Sequence, residues 1–282
     1  MSQAQLMDGT GLARRIVDET AKRAADLTER TGVAPCLATV LVGEDPASVT
    51  YVRMKQNRSR KAGIESRHVA LSAGTTTDEL IGTLTELSAD PTVHGILLQH
   101  PMGHHIDERA AFEAIAPEKD VDGVTLASFS AMSFGLPGFA SCTPGGIMRL
   151  LDEYDVDPAG KRAVVVGRSA ILGKPVGMLL LGRDATVTYC HSRTADLSAV
   201  VREADIVVAA VGRPRLIRGE DIKPGAVVVD AGYNPGNVGD VDFDSARERA
   251  SLITPVPGGV GPMTIATLLA QTVEAATRQT GA

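Results

Sequence analysis

Two groups of residues in this chain have the types and spacing to do chemistry. Tyr51 and Lys55 stand at i and i+4 in YVRMK, so a helix would put a phenol and an ammonium on one face. Gln99 closes the apolar run ILLQ, and Asp122 lies in the polar loop PEKDVDG. A lysine beside a phenol, an amide and a carboxylate is an acid/base set once desolvation or a nearby cation lowers its ordinary pKa of ~10.4. Spacing alone still favours an ordinary helix-face pair for Tyr51 and Lys55. The second group is GRSAILGKP (167–175), directly after the apolar run Arg162–Val166. A glycine turn between strand and helix lets backbone amides and the helix N-terminus face a pyrophosphate. Ser169 replaces the second glycine of the GxGxxG pattern, so this turn is a weak signal until its surroundings are read.

Those surroundings alternate strand-like and helix-like segments, the pattern of an α/β fold with largely parallel sheets. The first half predicts helices over Leu12–Thr31, Ser48–Ala62, Asp78–Leu87 and Asp107–Ile115, with strands at Leu37–Val42, Glu65–Leu71 and Gly95–Leu98. Ser128–Phe139 shows no clear period, and a domain boundary is expected near it. After the glycine turn come an apolar helix to Leu181 and strands at Thr186–Cys190, Asp205–Ala210 and Ala226–Asp230. That succession predicts a Rossmann-like unit from about Arg162 to Val260. At the end of its second strand, where an NAD enzyme places Asp or Glu, stand His191, Ser192, Arg193 and Thr194. A hydroxyl and a guanidinium bind a 2′-phosphate that a carboxylate would repel, and Arg168 on the glycine turn offers a second fork. NADP is therefore expected over NAD.

Other chemistries find less support. GRSAILGKP lacks the Ser or Thr of a Walker A loop, because Pro175 holds that place, and Ile171 stands where a nucleophile elbow needs glycine. His94, His100, His104 and His105 lack HExxH spacing and a nearby cysteine, so a loop or surface role is expected for them and no metal. Cys36, Cys142 and Cys190 are odd in number and widely spaced, which fits reduced thiols. A net charge of −6 without a basic tract excludes general attraction to nucleic acid. The start MSQAQLMDGTGLARR has no signal-peptide pattern and no apolar run approaches a membrane span, so a cytoplasmic protein is expected.

Taken in order, YVRMK (51–55), ILLQ (96–99), PEKDVDG (117–123), CTPGGI (142–147), VVVGRSAILGKP (164–175), TVTYCHSRT (186–194), DAGYN (230–234) and PVPGGVGPMT (255–264) resemble the bifunctional methylenetetrahydrofolate dehydrogenase/cyclohydrolase family. The blocks cover nearly the whole chain. The resemblance implies an N-terminal α/β catalytic domain over 1–140, completed by a C-terminal helix within 263–282, and a Rossmann-like NADP-binding domain over 141–262. It implies a homodimer and a small-molecule folate substrate. The implied reactions are NADP-dependent oxidation of 5,10-methylenetetrahydrofolate to the methenyl cation and hydrolysis of that cation to 10-formyltetrahydrofolate. By resemblance, Lys55 is the acid/base residue of hydrolysis, Gln99 holds it, Tyr51 packs on the folate and Asp122 binds the pterin amino edge. Ser48, Pro257, Gly258 and Gly259 are further implied substrate contacts. Gly167, Arg168, Ser169 and Ser192 are implied cofactor contacts, with Thr143, Tyr233 and Thr264 near the nicotinamide or its ribose. Arg193 joins them on charge alone. The Gly258–Gly259 and Gly261 run also reads as a tight turn before a helix.

The chain departs from the family pattern where QLPLP becomes Gln99-His-Pro-Met-Gly103, where Ser141 replaces the proline before CTP, and where the HPxNxG continuation is missing from Thr125–Phe139. These changes bear on folate affinity and the balance of the two activities. Two rival readings are an NADP dehydrogenase acting on another small substrate and a non-enzymatic NADP-binding module.

Overall fold

The computed structural model describes residues 3–43 and 46–282; the side chains of 46–52 lie outside that description. Strands run in chain order as β1 (Gln5–Leu6), β2 (Cys36–Val42), β3 (Glu65–Leu71), β4 (Gly95–Leu98), β5 (Arg162–Val166), β6 (Thr186–Cys190), β7 (Ile206–Ala209), β8 (Val227–Asp230) and β9 (Leu252–Ile253). Helices are α1 (Gly9–Thr31), α2 (Pro46–Lys61), α3 (Thr77–Ala89), α4 (Glu108–Glu113), α5 (Leu126–Phe134), α6 (Cys142–Glu153), α7 (Gly173–Leu181), α8 (Leu197–Arg202), α9 (Phe243–Arg247) and α10 (Val260–Thr280).

The chain forms two compact units. One holds 15–131, 137–140 and 267–282; the other holds the segment up to Arg14, 132–136 and 141–266. The first unit is built on a three-stranded sheet in the order β3-β2-β4, all parallel. β2 is buried along its whole length, as expected for the central strand of a parallel sheet with covered faces. α3 starts with a capping box in which the Thr76 hydroxyl accepts from Glu79 N at 3.3 Å and the Glu79 carboxylate accepts from Thr76 N at 2.8 Å.

The second unit carries a six-stranded parallel sheet in the order β1-β9-β8-β7-β5-β6. The order reverses at β5, the switch point at which open α/β sheets bind ligands. Val164, Val166, Val207, Ala209, Val228 and Ile253 pack on one side of it as a buried cluster. The amino-terminal residues group with this unit because Gln5 and Leu6 pair with Leu252 and Ile253 at its edge.

β3, β4, β5 and β6 begin and end where the sequence places them, and the other expected elements shift by a few residues at their ends. α5 occupies part of the stretch read as aperiodic. Its apolar and small residues do not form a stripe, but Thr125 is a usable start signal, since its hydroxyl accepts from Ser128 N at 3.1 Å. α6 is a further helix that the propensities hide, because Pro144, Gly145 and Gly146 fall within its first five residues and Ile147, Leu150 and Leu151 supply its buried face. Among the described residues, no helix is long and apolar enough to cross a membrane.

Candidate active site

In the three-stranded unit, β4 ends on Gln99, whose backbone amide extends the ladder to Val40 O at 2.9 Å. α2 follows β2, the strand beside β4, and presents Lys55 to the same sheet end. Lys55 Nζ donates to Gln99 Oε1 at 2.9 Å, and Gln99 Nε2 donates to His100 O at 2.7 Å. The backbone carbonyl thus fixes the amide with its oxygen toward the lysine, since the carbonyl takes only a donor. Lys55, Gln99 and Asp122 are all half-buried, open enough to meet a ligand and enclosed enough to be held in place. Ser48 and Tyr51 belong to α2, but their side chains lie outside the described residues.

Asp122 owes its place to the loop around it. Lys119 is buried at 5% exposure, and its ammonium donates to Asp90 O at 2.6 Å and Leu87 O at 3.4 Å, satisfying carbonyls at the end of α3. Desolvation lowers the pKa of this lysine from its ordinary value. The fully buried Asp120 carboxylate accepts from Val124 N at 3.1 Å and Thr125 N at 2.9 Å, closing the turn through Gly123. α10 holds the other side: Gln271 Nε2 donates to Val121 O at 2.7 Å and Ala140 O at 3.1 Å, and Gln279 Nε2 to His94 O at 2.8 Å and Glu118 O at 3.1 Å. Sequence reasoning missed Gln271 and Gln279. Gln271 stands between the buried Leu268 and Ala275 on α10, and that polar interruption was its signal, whereas Gln279 is exposed near the helix end. Replacing Gln271 with alanine leaves two carbonyls short of a donor; it is expected to cost about 1–3 kcal/mol of stability and to raise the KM for folate severalfold. Thermal denaturation and steady-state kinetics check this, and an unchanged KM would remove Gln271 from the positioning of Asp122.

His94 lies in the loop before β4, as a loop or surface role implies, but it is not on the surface. It is buried at 2% exposure, its Nδ1 accepts from Cys36 N at 3.1 Å, and desolvation holds its pKa below the ordinary value. Its neighbours His104 and His105 are exposed, and His100 is half-buried with its ring edge-on to Phe112. Cys36, Cys142 and Cys190 are all buried thiols.

In the six-stranded unit the glycine turn follows β5. Gly167 has φ of +134°, and a Cβ there would come within 2.2 Å of Ala210 O; a Cβ on Gly173 would meet Gly167 O at 2.5 Å. Glycine at both places keeps the turn tight against the strand ends and leaves room for close backbone approach by a ligand. Ser169 Oγ accepts from Leu172 N and Gly173 N, each at 3.2 Å, and so organises the first amides of α7. Arg168 and Ser169 are exposed on this turn, and Ser192 and Arg193 are exposed just beyond β6, the neighbouring strand. The turn after β6 is pinned by His191 N donating to Thr194 Oγ1 at 2.8 Å and Arg193 N donating to His191 Nδ1 at 3.2 Å.

Thr143 and Thr264 meet through their hydroxyls at 3.0 Å, where α6 and the start of α10 pack with Gly146 against Met263. Tyr233 is 59% exposed, and its hydroxyl donates to Asn237 Oδ1 at 2.7 Å. Gly258 has φ of +107° and its carbonyl accepts from Thr10 N at 2.9 Å, while a Cβ on Gly9 would fall 1.8 Å from Gly259 O. The PVPGG run is thus a tight turn packed on the start of α1, with Pro257 exposed.

A parallel sheet with a glycine turn at its switch point, joined in one chain to a second parallel unit with a lysine held at a strand end, defines an α/β dinucleotide-binding enzyme. Residues 141–280 match the tetrahydrofolate dehydrogenase/cyclohydrolase NAD(P)-binding domain, and residues 7–122 match the catalytic domain of the same enzymes. Bifunctional protein FolD 1 of Streptomyces avermitilis is 81% identical over 278 residues, covering 99% of this chain and 97% of that protein. The FolD methylenetetrahydrofolate dehydrogenase-cyclohydrolase of Trypanosoma brucei, solved with NADP cofactor and an inhibitor, superposes with a TM-score of 0.96 at 40% identity and covers all of both chains. The bifunctional enzyme FolD of Campylobacter jejuni gives 0.95 at 42% identity, covering 98% of this chain and 99% of that one. The chain therefore belongs to the tetrahydrofolate dehydrogenase/cyclohydrolase family. It is a bifunctional enzyme of one-carbon folate metabolism, at once a methylenetetrahydrofolate dehydrogenase and a methenyltetrahydrofolate cyclohydrolase.

Proposed function

We propose that Lys55 and Gln99 form the proton-handling pair of the hydrolytic step and that Asp122 and Tyr51 hold the folate for both reactions. The observation that carries this is the 2.9 Å hydrogen bond from Lys55 to a Gln99 amide whose other end is tied to His100 O. NADP⁺, when bound, accepts the hydride from the one-carbon bridge of 5,10-methylenetetrahydrofolate and leaves the methenyl cation. The dehydrogenase step asks the protein mainly for alignment, since the donor carbon must be held against the acceptor. Hydrolysis asks for more. Water adds to the cationic carbon, the C–N5 bond breaks, one proton of the water goes to N5 and the other leaves to solvent, giving 10-formyltetrahydrofolate. As a neutral amine Lys55 does not repel the cation and can take a proton from the attacking water at Nζ. Gln99 Oε1 then accepts from the lysine and keeps it aimed.

Asp122 binds the amino edge of the pterin as an acceptor, Tyr51 orients the folate, and Ser48, Pro257, Gly258 and Gly259 complete the substrate contacts. The cradle left by Gly167 and Gly173 and the exposed guanidinium of Arg168 fit a dinucleotide carrying a 2′-phosphate. Ser169, Ser192 and Arg193 contact that cofactor's phosphates, and Thr143, Tyr233 and Thr264 its nicotinamide side. In this reading 141–262 form the NADP-binding domain, 1–140 with the helix from 263 form the catalytic domain, and the enzyme works as a cytoplasmic homodimer. The resemblance of the sequence blocks supports those last statements.

The direct test is spectrophotometric. Purified protein with NADP⁺ should form NADPH only when methylenetetrahydrofolate is added, and the methenyl absorbance should then decay faster than in buffer. NADPH formation without folate dependence, or methenyl decay at the buffer rate, would overturn the reading.

A further inference from the structure

We propose that Asp240 is a positioning residue for the nicotinamide half of the cofactor, tying the turn after β7 to the loop that carries Tyr233. The proposal rests on the NADP reading above. A dinucleotide crosses the carboxyl ends of an open parallel sheet with its pyrophosphate at the turn after the switch-point strand. Here that strand is β5. The phosphate-bearing ribose goes toward β6, where Ser192 and Arg193 stand, so the nicotinamide half lies toward the ends of β7 and β8. Those ends continue as Val211–Gly212 and as the loop from Ala231 to Val241.

The buried carboxylate of Asp240 joins the two. Its Oδ2 accepts from Val211 N at 2.6 Å and Gly212 N at 2.9 Å, and its Oδ1 accepts from Asn234 Nδ2 at 3.1 Å. Asn234 closes the loop on itself, its backbone amide reaching Val238 O at 2.8 Å and its side chain at 3.1 Å. Asp230, which ends β8, braces the same loop: Oδ1 accepts from Gly232 N at 2.9 Å and Asp240 N at 3.0 Å, and Oδ2 from Val241 N at 2.9 Å. Tyr233 therefore sits between two residues, Gly232 and Asn234, each tied to one of these carboxylates.

Space for the pair is reserved by glycine. A Cβ on Gly232 would fall 2.2 Å from Asp240 Cγ, and one on Gly239 would fall 1.9 Å from Asp230 Oδ2. Two buried anions this close are costly unless donors surround them, and here each has three. Burial, with the charge of Asp240 adding to it, raises the Asp230 pKa to about 6. A core that needed only stability would be served better by apolar side chains, whereas directional acceptors fix where two backbone segments lie.

The test uses Asp240→Ala, which strips the acceptor from Val211 N and Gly212 N, beside Asp240→Asn, which retains one acceptor oxygen. NADP affinity is read by calorimetry, hydride transfer and methenyl hydrolysis by absorbance, and folding by thermal denaturation. Asp240→Ala should raise the Kd for NADP or lower the dehydrogenase kcat at least tenfold while hydrolysis, which uses no nicotinamide, stays within about twofold. Asp240→Asn should fall between this variant and wild type. Unchanged affinity and hydride transfer would overturn the proposal, as would hydrolysis declining in step with hydride transfer. Should Asp240→Ala fail to fold, Asn234→Ala, which removes only the outer donor, decides the matter by the same criteria. Wild-type protein without NADP binding would instead refute the cofactor reading, so the two failures are separable.

Discussion

Replacing Lys55 with methionine should lower the rate of methenyltetrahydrofolate hydrolysis by roughly 10²- to 10⁴-fold, the range expected when a positioned acid/base group is lost. Methionine keeps the unbranched chain and its packing but has no atom that takes a proton. Gln99 Oε1 loses its donor, yet Gln99 Nε2 keeps its bond to His100 O, so the loop after β4 has no reason to move. Lys55 is half-buried on a helix, and its loss should leave the thermal midpoint nearly unchanged. The Kd for NADP should be unaffected, because the glycine turn belongs to the other unit. Dehydrogenation should fall much less than hydrolysis, since it depends on alignment. Single-turnover hydrolysis of methenyltetrahydrofolate, with NADP binding measured on the same preparation, checks both halves. Undiminished hydrolysis would remove Lys55 from the chemistry.

The second large effect concerns cofactor choice. Arg168→Ala should weaken NADP by roughly 10- to 100-fold, the loss expected for one charge-assisted hydrogen bond to a phosphate, and change NAD affinity by about twofold or less. Arg168 is exposed on the turn after β5, so its removal leaves folding intact. The comparison of the two cofactors carries the argument. An equal loss for both would mean that Arg168 serves the shared pyrophosphate or the turn itself, and 2′-phosphate recognition would then fall to Ser192 and Arg193. Raised salt should weaken NADP more than NAD in wild type for the same reason.

Gln271 carries the positioning of Asp122 down to an element remote from it in sequence. The structure makes that loop a product of three anchors: Lys119 on the end of α3, Asp120 folded onto Val124 and Thr125, and the α10 glutamines. PEKDVDG looks in sequence like a polar surface loop, but Lys119 and Asp120 are buried and spend their charges on backbone groups. Asp122, between them and the glycine, stays half-buried, which suits the ligand-facing role proposed for it.

The sequence by itself determined the parallel α/β class, the strands β3 to β6 and the glycine turn, and it pointed to the lysine, glutamine and aspartate proposed to serve folate chemistry. Buried parallel strands must be apolar runs, and a turn that approaches phosphate needs glycine, so local composition records both. It also contained, in blocks spread from Tyr51 to Thr264, enough matched residues to point to a family. Tertiary structure decided the rest. Whether Lys55 is a surface lysine or a held one depends on Gln99, which is brought beside it only by the pairing of β2 with β4. α6 forms although its first five residues include Pro144 and two glycines, because burial of Ile147, Leu150 and Leu151 outweighs poor local propensity. His94 enters the core because a strand junction needs an acceptor for Cys36 N. Asp240 accepts from amides at 211 and 212, far from it along the chain, and hydrogen bonds of that span leave no periodic trace in a sequence. Local rules fix what each segment is; long-range pairing fixes which side chains share a site.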